Sequence, residues 1–270
     1  MPSFEPALRL GVFLGVFLLL WAAESAWPRR RRLYPRTRRW PANLGVTLID
    51  TLAVRLLFPL GAVGWALVVE HRGWGLLHAL SVPRIAAVVL SAAALDLTVY
   101  AQHVVFHKIP ALWRLHMVHH ADRDLDVTSG TRFHPLEIGL SMLIKMVAVT
   151  LLGAPPEGVL LFEIVLSATA MFNHANLRLP RRADAVVRWL VVTPDMHRVH
   201  HSSDRGEHDS NFGFNLPWWD RLFGTYQAQP SLGHERMAVG LEDFGDDRPT
   251  RLLWILGAPF QREVLGRQKR

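Results

Sequence analysis

Apolar residues gather into five runs along the chain, set apart by arginine clusters, prolines and glycines. The first run, Leu10–Ala23, extends to Trp27 and is followed by Pro28, Arg29, Arg30, Arg31, Arg32, Arg36, Arg38 and Arg39. A secretory signal carries its positive charge before the apolar core, whereas here it follows, so the pattern predicts an uncleaved first span whose C-terminal end is cytoplasmic. Leu44–Val69 is the second run and contains Asp50, Arg55 and Pro59; Ile85–Ala101 is the third. Ile138–Leu152 and Gly158–Phe172 flank Gly153-Ala154-Pro155-Pro156, a turn short enough to predict a helical hairpin. Residues 177–270 are polar, with proline and glycine breaks, and read as short helices and loops.

These runs predict an all-α fold, an integral-membrane bundle of four to five apolar helices with a cytoplasmic, histidine-rich helical cap. The expected division is 1–84 (membrane spans and basic loop), 85–228 (catalytic domain) and 229–270 (cytoplasmic tail). The Lys/Arg distribution places 28–43, 102–136 and 177–270 on one side of the membrane, because the Pro-Pro turn carries neither residue. Lys145 and Glu163 sit at similar depth on the two arms of the hairpin, and opposite charges in lipid are expected to pair.

Half of the 270 residues are hydrophobic and the net charge is +7. The arginines lie beside apolar runs, where they suit membrane anchoring, and the chain has no recognisable nucleic-acid module, so no nucleic-acid partner is expected. Zero cysteines exclude disulfides, iron–sulfur clusters and thiolate-bound haem within the chain.

Fourteen histidines change the picture. His103 and His107 close the third run at a spacing of four. His116, His119 and His120 follow, and His197, His200 and His201 repeat the HxxHH spacing. Residues three and four apart share a helix face, so each cluster can present imidazoles to a common centre. Eight clustered histidines, with His174 as a ninth, exceed what one structural ion takes. Two iron ions with open positions suit the number better than two zinc ions, although imidazole alone does not choose among iron, zinc and copper. Asp96, Asp195 and Asp209 are the expected carboxylates receiving the outer N–H of bound imidazoles. His71 and His78 fall on the opposite side of the membrane, His208 and His234 read as solvated, and His134 as a supporting or structural residue.

The order HxxxH, HxxHH, a lone histidine and HxxHH resembles the fatty acid hydroxylase/sterol desaturase superfamily. Thr131-Arg132-Phe133-His134-Pro135-Leu136-Glu137, Asp209-Ser210-Asn211-Phe212-Gly213 and Trp218-Trp219-Asp220-Arg221-Leu222-Phe223-Gly224-Thr225 are similar to flanking segments of that family. The likeness covers residues 85–228. It implies metal ligation by His103, His107, His116, His119, His120, His174, His197, His200 and His201. The fatty acid 2-hydroxylases carry a further histidine four residues before the lone one, where this chain has Ala170.

The resemblance implies a di-iron centre that uses O2 and external electrons to hydroxylate a lipid C–H bond in a sterol, fatty acyl or related lipid. A desaturase on the same centre is the alternative. A metal-binding or metal-transport membrane protein is the alternative of another class; transporters place ligands near the bilayer midplane, whereas these histidines lie at span ends. With no glycine-rich dinucleotide fingerprint and no cysteine, electrons are expected from a separate ferredoxin, cytochrome or reductase.

Overall fold

The computed structural model describes residues 5–261; residues 1–4 and 262–270, the ends of the first and last expected segments, lie outside the described residues. The first eight helices are α1 (Glu5–Ala26), α2 (Arg36–Leu57), α3 (Gly61–Arg72), the one-turn α4 (Leu76–Ala79), α5 (Arg84–Lys108), α6 (Pro110–His120), α7 (Pro135–Leu152) and α8 (Pro156–His174). Six short helices follow: α9 (Arg181–Val187), α10 (Pro194–His200), α11 (Arg205–His208), α12 (Trp218–Leu222), α13 (Gly233–Arg236) and α14 (Leu252–Gly257). The described residues contain no strand, only isolated bridges pairing Pro28 with Leu177 and Ser202 with Val239. The fold is all-α, as the apolar runs predict.

Proline sets the helix boundaries. Pro110, Pro135, Pro156 and Pro194 each occupy the first turn of a helix, where the missing N–H has no intrahelical partner to lose. Pro59 acts differently: it splits the expected Leu44–Val69 run into α2 and α3, with Phe58 leaving helical geometry before it. Both halves still pack along α7, so they make one pass. Four segments are long and apolar enough to cross a membrane: Glu5–Ala26, Arg36–Ala79, Arg84–Lys108 and Pro135–Leu152.

α7 and α8 form the hairpin, turning at Gly153 with φ 70°. The chain between α3 and α4 closes on this turn: a Cβ on Gly75 would meet Gly153 N at 2.1 Å, so only glycine fits there. α8, though not among the four apolar segments, is the central element and packs against α1, α3, α5 and α10. Leu18, Leu19, Leu56, Leu57, Ile85 and Leu151 point outward and exposed, as residues facing lipid do. Lys145 Nζ donates to Glu163 across the hairpin at 2.6 Å, and Arg9 of α1 donates to the other Glu163 oxygen at 2.7 Å.

The end of the bundle away from the hairpin turn carries the cap. Here the C termini of α1, α5 and α8 meet the N termini of α2 and α7. Arg39, 1% exposed, donates to Asp122 and Asp126 and ties α2 to the segment after α6. The tail returns to the same place: Phe244, Trp254, Ile255 and Ala258 pack on Ala42, Val46, Met117 and Val118.

Candidate metal centre

Four helix ends deliver the histidines. His103 and His107 lie in the last turns of α5; Pro110 then starts α6 after a sharp corner, turning His116 and His120 back toward them. His174 is the last residue of α8. Thr193 caps α10 by accepting from Met196 N, which presents His197, His200 and His201 from the cap side.

The nine residues form two groups. His103, His107, His116, His120 and His200 make one; His119, His174, His197 and His201 make the other, and within each group the ligand atoms lie within 4.8 Å of one another. Adjacent residues of one helix therefore serve different groups, as His119 and His120 do. All nine are buried or nearly so.

The hydrogen bonds decide what the groups can hold. A neutral imidazole has one N–H. His119 Nδ1 donates to the Arg132 carbonyl at 3.0 Å and His174 Nδ1 to the Ala170 carbonyl at 2.6 Å, so both Nε2 atoms carry bare lone pairs. Those lone pairs face each other 3.0 Å apart. In the five-histidine group, His103 Nδ1 donates to the Phe212 carbonyl at 2.7 Å and His116 Nδ1 to Glu137 at 2.7 Å, while their Nε2 atoms are 3.1 Å apart. Protonation does not supply the missing attraction. Burial lowers His116 to about 3, and burial together with neighbouring imidazoles puts His119, His120, His197, His200 and His201 well below the ordinary value. Converging neutral lone pairs of this kind fit a metal cation between them.

A scan against protein families matches the fatty acid hydroxylase model over residues 88–225, the stretch that holds all nine histidines. The chain belongs to the fatty acid hydroxylase family. Relatives include an ornithine lipid hydroxylase of Rhizobium tropici, 31% identical over 53% of this chain and 42% of that protein. The alkylglycerol monooxygenase of Homo sapiens is 26% identical over 54% of this chain and 31% of its own. The cholesterol 25-hydroxylase of Rattus norvegicus is 26% identical over 89% and 81%. The chain thus spans less than half the length of the first two. No solved structure is a significant match.

In this fatty acid hydroxylase family member the three aspartates expected to support the imidazoles have differing surroundings. Asp209 lies 3.5 Å from His107 Nδ1 and accepts from Lys108 at 2.7 Å. Asp96 accepts from Trp219 Nε1 at 2.8 Å and from Leu216 N, so it anchors the segment whose Phe212 carbonyl orients His103. Asp195 is paired with Arg29 and Arg198. The carboxylate that hydrogen-bonds a clustered imidazole at 2.7 Å is Glu137, which the sequence reading left aside. Its signal was present, since an ionisable residue in the first turn of an apolar helix is a functional candidate. Asp220 was also missed; it accepts from Phe212 N at 2.7 Å and Gly213 N at 2.9 Å, fixing the loop that carries that carbonyl.

Two expectations are corrected. His208 and His234 are buried, at 7% and 4% exposed. Long-range folding of the tail covers them: the His208 ring lies 4.8 Å from Trp113 and 5.0 Å from His107, and His234 lies 3.6 Å from Asp195. Burial lowers both to about 4. His134 caps α7, accepting from Leu136 N, and contacts the Leu256 carbonyl; it joins neither histidine group. His78 sits beside Gly153 at the hairpin-turn end.

A cavity of about 820 Å³ opens from the centre into the bundle. His103, His116 and Phe214 border it at the cap end; Leu95, Val99, Met142, Phe162 and Leu166 line its length. Lys145, Glu163 and Arg9 lie on its deeper wall. From Glu137 to Lys145 the helix rises about 12 Å.

Proposed function

We propose that the protein is a membrane di-iron oxygenase that hydroxylates a C–H bond of a lipid drawn from the bilayer. The observation that carries this reading is the pair of buried lone-pair clusters at the end of a largely apolar cavity within membrane-spanning helices. His103, His107, His116, His120 and His200 would hold one iron, and His119, His174, His197 and His201 the other. Bound irons would supply reductive activation of O2 and removal of hydrogen from an unactivated carbon.

The chain's own residues do the rest. Carbonyls of Arg132, Ala170, Ser210 and Phe212, with Glu137, fix the imidazole tautomers so that Nε2 faces inward. The flat face of Phe133 stacks on His119 with ring centroids 4.4 Å apart, and Phe212 and Phe214 lie against His103; together they exclude water from the reacting carbon. The apolar walls take up the lipid chain and hold it against the histidine end. Ornithine lipid, alkylglycerol and cholesterol, named for the relatives, are all lipids, and the relatives' hydroxylase and monooxygenase names favour oxygen insertion over desaturation. The arginine-rich segment 28–41, the connection to α2 and its first turns, lies at the histidine end, which supports a cytoplasmic centre. With no cysteine in the chain, a separate ferredoxin, cytochrome or reductase is the proposed electron source. The supporting roles of Asp96 and Asp209 are part of this proposal.

Comparative lipidomics of cells with and without the protein tests it. The expected result is a lipid heavier by one oxygen, formed only with O2 and reductant. Loss of two hydrogens would indicate desaturation, and no lipid change with unimpaired metal binding would refute the enzyme reading.

A further inference from the structure

Asp50 occupies an unusual position. It lies on α2 at bilayer level, 7% exposed, and lines the cavity that reaches His103 and His116. Among the described residues, neither of its carboxylate oxygens has a hydrogen-bond partner. The cavity's cations do not neutralise it: Arg9 and Lys145 are engaged by Glu163, and among the described residues no ion pair joins Arg55 to it. One helical turn before it, Thr47 donates to the Thr131 carbonyl, beside the Arg132 whose carbonyl holds His119. Asp50 therefore sits at the histidine end of the cavity. Glu137, which holds His116, lines the same wall with its second oxygen also unpartnered.

A buried carboxyl without a partner costs stability, and such groups in a membrane are characteristic of substrate sites. We propose that Asp50 receives a hydrogen-bond donor of the substrate, so that the lipid oxidised here carries a hydroxyl or a protonated amine close to the carbon placed at the histidines. This rests on the lipid-oxidising reading and names the substrate class. The rest of the cavity, walled by Val54, Val63, Val99, Met142 and Leu166, takes the apolar remainder of the molecule.

The test is binding to the full chain in detergent, read by tryptophan fluorescence, with dodecanol, dodecylamine and dodecane as probes. The parent protein should bind the alcohol, the amine or both about five- to tenfold more tightly than the alkane, the range of a single net hydrogen bond. The preferred probe identifies the donor. Asp50→Leu should abolish that margin, and Asp50→Asn should keep a margin for the alcohol while losing any for the amine. Because the carboxyl has no partner among the described residues, both variants should melt no lower than the parent. Equal binding of all three probes, a margin that survives Asp50→Leu, or a lowered melting point in both variants would overturn the proposal. Since this readout needs no turnover, donor-selective binding without any lipid oxidation would refute the oxygenase reading and leave the donor site standing.

Discussion

Replacing Glu137 should loosen one metal position and spare the other. Its Oε1 accepts from His116 Nδ1 at 2.7 Å, both side chains being 5% exposed or less. Removing a partner of this kind weakens metal affinity by about 10–100-fold, or about 1.4–2.7 kcal/mol. His116 belongs to the five-histidine group alone, and among the described residues no hydrogen bond joins Glu137 to the four-histidine group. In Glu137→Leu, titration with a chelator should therefore become biphasic, with one metal released at about 10–100-fold lower chelator and the other at the parental midpoint. Glu137→Gln keeps an acceptor oxygen and should fall between the two. Metal analysis after equilibration at each chelator concentration reads the result. Parental release in Glu137→Leu, or equal weakening of both metals, would refute the assignment of Glu137 to one position.

His174→Ala should abolish lipid oxidation and lower metal content, because its Nε2 contacts those of His119, His197 and His201; His134→Ala should keep most of the metal, and normal metal content in His174→Ala would remove His174 from the ligand set. His208→Ala should keep both metals while melting lower, since the ring is buried against Trp113 but belongs to neither large group. Glu163→Gln leaves Lys145 and Arg9 facing each other and should cost about 3 kcal/mol, whereas Lys145→Met leaves the Arg9 pair intact and should cost about 1 kcal/mol; equal losses in thermal unfolding would contradict the three-residue arrangement. The metal-stripped protein should lose stability as pH falls below 6.5, because the unfolded chain takes up protons that burial denies to His116, held at about 3, and to the imidazoles beside it. That sign follows from the greater proton uptake of the unfolded state, and a melting point unchanged between about pH 7.5 and pH 5 would refute it.

Much of this was legible in the chain because the relevant signals are local. Apolar runs and a Pro-Pro turn are read from neighbours in sequence, and they gave the membrane helices and the hairpin, including the approach of Lys145 to Glu163. The two HxxHH spacings place imidazoles on one helix face before any tertiary contact is known. What could not be read depends on distant segments meeting. Arg9 joins Glu163 across more than 150 residues, and the carbonyl of Phe212 orients His103 across more than 100. The division of the histidines into five and four, with His119 and His120 parting, follows from the corner at Pro110 and from α10 arriving opposite it. His208 and His234 were misread for the same reason: polar surroundings in sequence say little about which other segment covers a side chain.

The most direct test of the central claim is metal analysis of gently extracted, catalytically active protein, with lipid product measured on the same sample. Two groups of histidines acting as one centre predict close to two irons per chain, and product formation that rises with the second iron. Full activity at one metal per chain would contradict the account.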